Sequence, residues 1–438
     1  MRTLIEKAAI VTMDENENMW PEGYVLFDEE SILAVGEGSC SQEADLRIDG
    51  KGGILMPGMV NVHSHISMMP FRSMGDDCPD RLRRFLFPLE LAAMTPELVY
   101  AAARYAVCEL LLSGVTSVLD MYYFEDRVAS ACEEMGIRAW VGETVIGQET
   151  CDSKKPYGGL ALCEELIRKW QGHDRIHPLV APHATNTSSP EMLKAAYELA
   201  EKYQVPNTLH VSEKDYEMRY FEEQYGKTPV AFLQELGVLG KSTIAVHCIH
   251  TTDTDIQIFA RTGTKVAHCP GSNTKAGKGI CPVLDMRGAG VSVGVGTDGP
   301  SSGNTLDLFT QLKMIACFQK TKYRDRSAFP AKEIVALGTM EGARVLGAEK
   351  EIGSTEVGKR ADLVLLETQS ANMFPVYNPY SVIVYSANAS NVDSVWVQGR
   401  QLVRGHQLVE ADLTAERRRL WLEMAEFQKQ AKQYQNEI

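Results

Sequence analysis

No C-x-x-C pair occurs in this sequence: its ten cysteines, Cys40, Cys78, Cys108, Cys132, Cys151, Cys163, Cys248, Cys269, Cys281 and Cys317, are scattered over 438 residues. That spacing argues against a thiolate zinc knuckle and a disulfide framework. Most of these thiols are expected to be reduced core residues, because free cysteine is among the most buried residue types. No apolar run approaches the ~20 residues that span a bilayer. The opening stretch "MRTLIEKAAIVTMDENENMW" is broken by charge too soon for a signal peptide. The expected location is therefore the cytoplasm, with no membrane contact. Clustered Lys and Arg are also wanting, and the formal net charge is −14. Phosphate binding needs such clusters, so nucleic acid and anionic membrane surfaces are excluded as natural partners and small molecules remain. No low-complexity segment, fixed-period repeat or obvious interdomain linker is visible.

What is present suits an enzyme. A hydrophobic share of 44% and a charged share of 23% are those of a globular chain, long enough for a large barrel and a smaller domain. Residues 1–56 read as short strands, "TLIEKAAIVTM", "GYVLFDEESILAVG" and "ADLRIDGKGGILMPG", punctuated by Gly and acidic turns. Residues 357–412 read the same way through "RADLVLLE", "SVIVYSA", "VDSVWVQGRQLVRG" and "HQLV". The two ends are expected to build one composite β-sandwich.

Between them, over 57–356, apolar strands alternate with amphipathic helices, the pattern of βα units and a parallel sheet. Eight strands are predicted: "MVNVHSH", "VTSVLDMY", "IRAWVGE", "IHPLVAPH", "NTLHVSE", "TIAVHCIH", "TKVAHCP" and "VSVGVGTD". The fold class is α/β, a (β/α)₈ TIM barrel, with a doubly wound sheet as the alternative. The helix in "TPELVYAAARYAVCELLLSG" has a Thr cap, Pro at its first position and a stop at Gly114. In residues 413–438, Leu413, Leu420, Met424 and Phe427 recur at helical spacing, so a terminal amphipathic helix is expected to pack on the barrel or on a partner subunit.

Histidines and one aspartate mark the ends of these strands. His63 and His65 end the first, His183 the fourth, His210 the fifth, His247 the sixth, His268 the seventh and Asp298 the eighth. Barrel enzymes assemble their sites at that face. Alternate residues share one side of a strand, so His63 and His65 should project together into the mouth. Alone, such a pair serves equally well to hydrogen-bond loops. With His210 and Asp298 it forms a His₃Asp set that suits one divalent metal, zinc or Fe(II), with an open position for water. Glu213, three residues past His210 in "LHVSE", is the candidate general acid/base, the alternative being a solvated loop glutamate. His247 would face the same mouth and polarise the attacked atom. His250 reads as loop structure, and His268 as a packing or loop-fixing residue. The fourth strand carries no lysine, so a carbamylated bridge between two metals is not available there.

These motifs, "PGMVNVHSHISMM", "LHVSE", "AVHC", "HCPGSN", "VGVGTDG" and "EVGKRADLVLLE", together resemble the amidohydrolase superfamily. The resemblance is to its branch of aminohydrolases and chlorohydrolases, which includes methylthioadenosine/S-adenosylhomocysteine, guanine and cytosine deaminases and triazine hydrolases. It covers nearly the whole chain. It implies a mononuclear site with His63, His65, His210 and Asp298 as ligands, Glu213 as proton shuttle and His247 as the sixth-strand histidine. It also implies attack of activated water on a ring carbon bearing an amino group. Glu213 would protonate the ring nitrogen, Asp298 would take the remaining water proton, and ammonia would leave.

For substrate binding, His183 in "APHATNTSS" matches the family's "PHxPYT" segment, although "ATNT" departs from it. Glu90 in "FLFPLE" matches a glutamate that binds ribose hydroxyls. Glu143, ending "IRAWVGE", falls where some relatives carry a carboxylate-binding arginine, and an acid there would repel an amino-acid carboxylate. Arg72 and the "RLRR" run at residues 81–84 read as a solvated loop face. The function expected is deamination of an amino-substituted heterocycle, a purine, purine nucleoside or pteridine, by a homodimer or higher homo-oligomer. The alternatives are a triazine hydrolase and a non-catalytic barrel scaffold, which would be expected to have lost ligands.

Overall fold

The computed structural model describes residues 1–16, 18–434 and 436. The N-terminal segment forms β1 (Thr3–Val11), β2 (Met19–Phe27), β3 (Ile32–Glu37), β4 (Leu46–Asp49) and β5 (Ile54–Pro57). The barrel strands follow as β6 (Met59–Ser64), β7 (Val115–Tyr122), β8 (Arg138–Val145), β9 (Ile176–Pro182), β10 (Asn207–Val211), β11 (Thr243–His247), β12 (Lys265–His268) and β13 (Val293–Val295). The chain then returns to the first unit with β14 (Leu363–Leu366), β15 (Val392–Val397), β16 (Arg400–Arg404) and β17 (Gln407–Leu408).

The two ends share one nine-stranded sheet ordered β17-β16-β15-β14-β5-β1-β2-β3, with β4 on β1. Antiparallel pairing of β14 with β5, from Leu363 opposite Pro57 to Leu366 opposite Ile54, joins the two halves. The sheet folds over its own core. Phe27 of β2 and Trp396 of β15 have three strands between them in the hydrogen-bonded order, yet their rings meet edge-on at 6.0 Å. Ile5, Val25, Leu55 and Leu363 fill the space around them.

One segment departs from expectation. "SVIVYSA" is rich in β-branched residues and reads as a strand, but it lies in a helix, Pro379–Tyr385. Asn378 caps that helix by accepting the Ser381 N–H, and Pro379 presets its first turn. Burial of Tyr380, Val382, Ile383 and Val384 then outweighs their modest strand preference.

The eight barrel strands are parallel and sequential, from β6 to β13. β13 returns beside β6, where the Asp298 N–H donates to the His63 carbonyl at 3.1 Å. Side chains alternate as a barrel requires. Leu119, Met121, Leu179, Ala181, Ile244 and Val246 pack together inside, while Val118, Val141, Leu209, Val211 and Ala245 face the helices. The helix Pro96–Leu112 begins at Thr95, whose hydroxyl accepts the Leu98 N–H, and ends before Gly114 at φ +80°. Across it lies the terminal helix Leu413–Ala431. Phe427 packs on Phe71 with ring centroids 4.7 Å apart, and Arg104 pairs with Glu416 at 2.7 Å. Residues 435, 437 and 438 of the expected terminal segment lie outside the described residues. Among the described residues no single helix is long and apolar enough to cross a membrane.

Candidate metal centre and active site

The side chains at the barrel mouth are aimed by local breaks in strand regularity. Val62 points into the barrel core, so strict alternation would turn His63 outward. The β6–β7 register shifts between Asn61 and Ser64, and the His63 ring comes to the centre instead. A bulge that re-aims a side chain is a common device beside functional sites. His65 lies just past the end of β6. On β11 the same reversal is made by backbone conformation: Val246 faces inward, and His247 at φ +70° turns its ring back to the mouth. Asp298, beyond β13, is also left-handed at φ +59°. Such strain in non-glycine residues concentrates where the surroundings enforce it, often at functional sites.

The result is a tight cluster. Ligand atoms of His63, His210 and His247 lie within 4.8 Å of one another, and so do those of His63, His65 and Asp298. His65 Nε2 is 3.4 Å and His63 Nε2 4.0 Å from Asp298 Oδ1. The outer nitrogens are anchored. His65 Nδ1 meets the Met121 carbonyl, His210 Nδ1 the His183 carbonyl at 2.6 Å, and His247 Nδ1 the Asn273 Oδ1 at 2.8 Å. Carbonyl acceptors place the proton on Nδ1 and leave the Nε2 lone pair of His65 and His210 facing inward, the usual orientation of a metal-ligating imidazole. His63 is fully buried with neither ring nitrogen hydrogen-bonded. Burial, reinforced by the neighbouring imidazoles, holds His63 and His210 well below the ordinary histidine range, so both are neutral. Buried polar atoms left without partners, on neutral imidazoles converging with a carboxylate, fit a divalent cation. His247 stands as close to this centre as the expected ligands do.

Glu213 flanks the cluster. Its Oε1 is 3.7 Å from His247 Nε2 and 2.5 Å from the Lys278 ammonium. Burial would raise its pKa, but the charges of Lys278, His247 and Lys214 outweigh that and hold the carboxyl well below the usual range.

The helix Phe87–Ala93 brings two further groups to the mouth. Phe87 lies edge-on to His183 at 6.0 Å, and Glu90 accepts a 2.9 Å hydrogen bond from Tyr122, whose ring is 6.4 Å from that of His65. Burial pushes the Glu90 carboxyl up to about 8 despite that hydrogen bond. His183 is held at about 3, chiefly by burial, and its Nδ1 meets the Thr187 hydroxyl at 2.9 Å.

Glu143 does not join them. Its neighbours Trp140 and Val141 mark the inner and outer faces of β8, and by that parity Glu143 lies on the helix side. There it accepts the Glu125 N–H at 2.9 Å, at the start of the helix Glu125–Met135. Its carboxyl faces a helix N-terminus rather than a ligand, and the objection it raised to an amino-acid carboxylate falls. The "RLRR" run is not simply solvated either. Arg81 is largely buried, donates to the Ser301 carbonyl at 2.6 Å and pairs with Asp76, while Arg83 stacks over Tyr216. Arg72 is paired with Glu109. Sequence reasoning missed Lys278, Asn273 and Tyr122. Asn273 belongs to the "HCPGSN" motif, which was its one available signal, and Lys278 sits in a loop with no periodicity.

A parallel (β/α)₈ barrel with a histidine-rich strand-end site suited to a divalent metal defines a class, the metal-dependent barrel hydrolases. Within it, the chain belongs to the amidohydrolase family, whose sequence profile matches residues 54–402. It is 37% identical over 412 residues to the 5-methylthioadenosine/S-adenosylhomocysteine deaminase 1 of Syntrophus aciditrophicus, covering 93% of each chain. It is 38% identical over 390 residues to the 5'-deoxyadenosine deaminase of Methanothermobacter thermautotrophicus, covering 88% of this chain and 90% of that one. The structure of an adenosine deaminase from Xanthomonas campestris with bound zinc superposes with a TM-score of 0.94 at 31% identity, covering 98% of both chains.

Proposed function

We propose that this protein is a metal-dependent hydrolytic deaminase of purine nucleosides that converts a ring amino group to the oxo form and releases ammonia. One observation carries the proposal: the Glu213 carboxylate stands beside the cluster of His63, His65, His210, His247 and Asp298, with Glu90 and His183 at the same mouth. The relatives that are 5-methylthioadenosine/S-adenosylhomocysteine and 5'-deoxyadenosine deaminases support it.

In this proposal His63, His65, His210 and Asp298 hold the cation, with zinc favoured by the zinc-bound relative. When bound there, such a cation supplies Lewis acidity toward water at neutral pH. Glu213 carries a proton to the ring nitrogen beside the amino-bearing carbon. Asp298 accepts the second water proton and passes it to the departing amino group, which leaves as ammonia, and His247 hydrogen-bonds the charge that develops on the new oxygen. Glu90 takes the sugar hydroxyls, and the neutral His183 contacts the ring. Residues 57–356 would be the reacting barrel, residues 1–56 with 357–412 a supporting β unit, and the segment from residue 413 an outer element that carries the helix Leu413–Ala431. Cysteines that are scattered and mostly buried support a reducing, cytoplasmic setting. Exposed Trp421 and Leu422 on the terminal helix support self-association.

Ammonia and chloride release on a panel of adenosine, 5'-methylthioadenosine, S-adenosylhomocysteine, 5'-deoxyadenosine, adenine, guanine and a chlorotriazine tests the proposal, with metal analysis on the same preparation. Turnover of the adenine nucleosides is expected. Dechlorination of the triazine with no purine turnover would overturn it in favour of the triazine hydrolase.

A further inference from the structure

The segment after β12 reaches two groups of the site at once. Asn273 Oδ1 meets His247 Nδ1, the Lys278 N–H donates to the Asn273 carbonyl at 2.9 Å, and the Lys278 ammonium lies 2.5 Å from Glu213 Oε1. Gly279, at φ +125°, a conformation that L side chains rarely adopt, allows the tight turn that presents the lysine. The main chain of Glu213 is held separately, its N–H donating to Glu217 Oε2 at 2.8 Å. The two carboxylate oxygens are therefore unequal. Oε1 has Lys278 in direct contact and His247 at 3.7 Å, whereas Oε2 has Lys214 at 3.7 Å. Lys214 lies over the Tyr216 ring as well, so Lys278 is the tighter restraint.

We propose that Lys278 is the positioning residue for the acid/base: its ammonium fixes Oε1 of Glu213 and turns Oε2 toward the reacting ring. The proposal rests on the deaminase function given above. The Glu213 carboxylate ends a side chain with several rotatable bonds on the coil after β10, and a charge-assisted hydrogen bond of this length restrains them. Misplacement of a reacting group by 1 Å costs on the order of 10²-fold in rate. Lys278 touches neither ring nor water in this role, so its removal should lower kcat and leave KM nearly unchanged.

The test compares wild type, K278M, K278R, E213Q and the K278M/E213Q double variant on the best nucleoside of the panel, with metal content and melting temperature measured for each. K278M is expected to lose about 10- to 100-fold in kcat with wild-type metal content. K278R should recover part of the loss. The double variant should be no slower than E213Q, because a residue that acts through Glu213 has nothing left to position. Where K278M proves less stable, K278Q, which keeps a donor without the charge, gives the same comparison. Wild-type kcat in K278M or K278Q, or losses that multiply in the double variant, would overturn the positioning role while leaving the deaminase function standing. Wild-type protein inert toward every purine would overturn that function, and the positioning role with it.

Discussion

Arg138 of β8 and Asp362, which precedes β14, form an ion pair at 3.2 Å with both side chains 2% exposed. The contact is two-pronged, with Nη2 3.4 Å from the second carboxylate oxygen. Its remaining valences are used: Arg138 donates to the Asp174 carbonyl at 3.0 Å, and Asp362 accepts the Gln398 N–H at 2.7 Å. The pair thus pins the barrel to the folded sheet. Removing one partner of a buried pair strands the other's charge at a cost of ~3–5 kcal/mol. Asp362→Ala should lower the unfolding free energy by about that much in denaturant titrations. A loss indistinguishable from that of a surface substitution would show that the pair is not under this strain.

At Gly296 the two ends of the barrel sheet approach closely. A Cβ there would lie 2.8 Å from the His63 carbonyl oxygen and 3.0 Å from its nitrogen, both backbone atoms that cannot swing aside. Gly296→Ala should displace β6 where His63 begins, destabilising the fold by ~1–3 kcal/mol and weakening retention of the metal. Dialysis against chelator followed by metal analysis reads this directly. A variant that retains metal as the wild type does would mean the strands part without moving His63.

Glu213 lies beside the proposed ligands without belonging to the set. Glu213→Gln keeps the shape of the side chain and removes its capacity to carry a proton. Metal content should be unchanged while kcat falls ~10²–10⁴-fold. Retained turnover would assign the proton transfer to another group beside it, such as His247 at 3.7 Å.

Much of this architecture was legible because its signals are local. Each barrel strand is a short apolar run with turn signals on either side, so all eight were found, and the residues ending them come together because parallel strands place all their ends at one face. Direction was harder to read. His63 reaches the centre through a register shift and His247 through a left-handed residue, and neither break is visible in residue type. Glu143 was misplaced for the same reason: its distance along the strand was right, but its face depends on parity set by Trp140 and Val141. The "SVIVYSA" helix shows a capped and buried segment overriding propensity. Lys278 reaches Glu213 across 65 residues of sequence, through a loop whose path no pattern encodes.

Behind the mouth, three acids share one buried space. Asp120 accepts the Ile66 N–H at 2.6 Å, Glu143 accepts the Glu125 N–H, and the Glu125 carboxyl is fully buried beside both. Burial first, and then the charges of Asp120 and Glu143, push the Glu125 carboxyl well above the ordinary glutamate range, and burial likewise raises Glu143. The sign follows from proton binding. An unfolded glutamate releases its proton near pH ~4.3, whereas the folded protein retains it to higher pH. The folded state is therefore favoured below that point and loses the advantage as pH rises toward the raised folded value. Glu125→Gln removes this titration and can still donate to Asp120. Its melting temperature, measured from pH 5 to pH 8, should rise relative to wild type as pH increases. Parallel pH profiles for the two proteins would show that Glu125 does not hold its proton in the folded state.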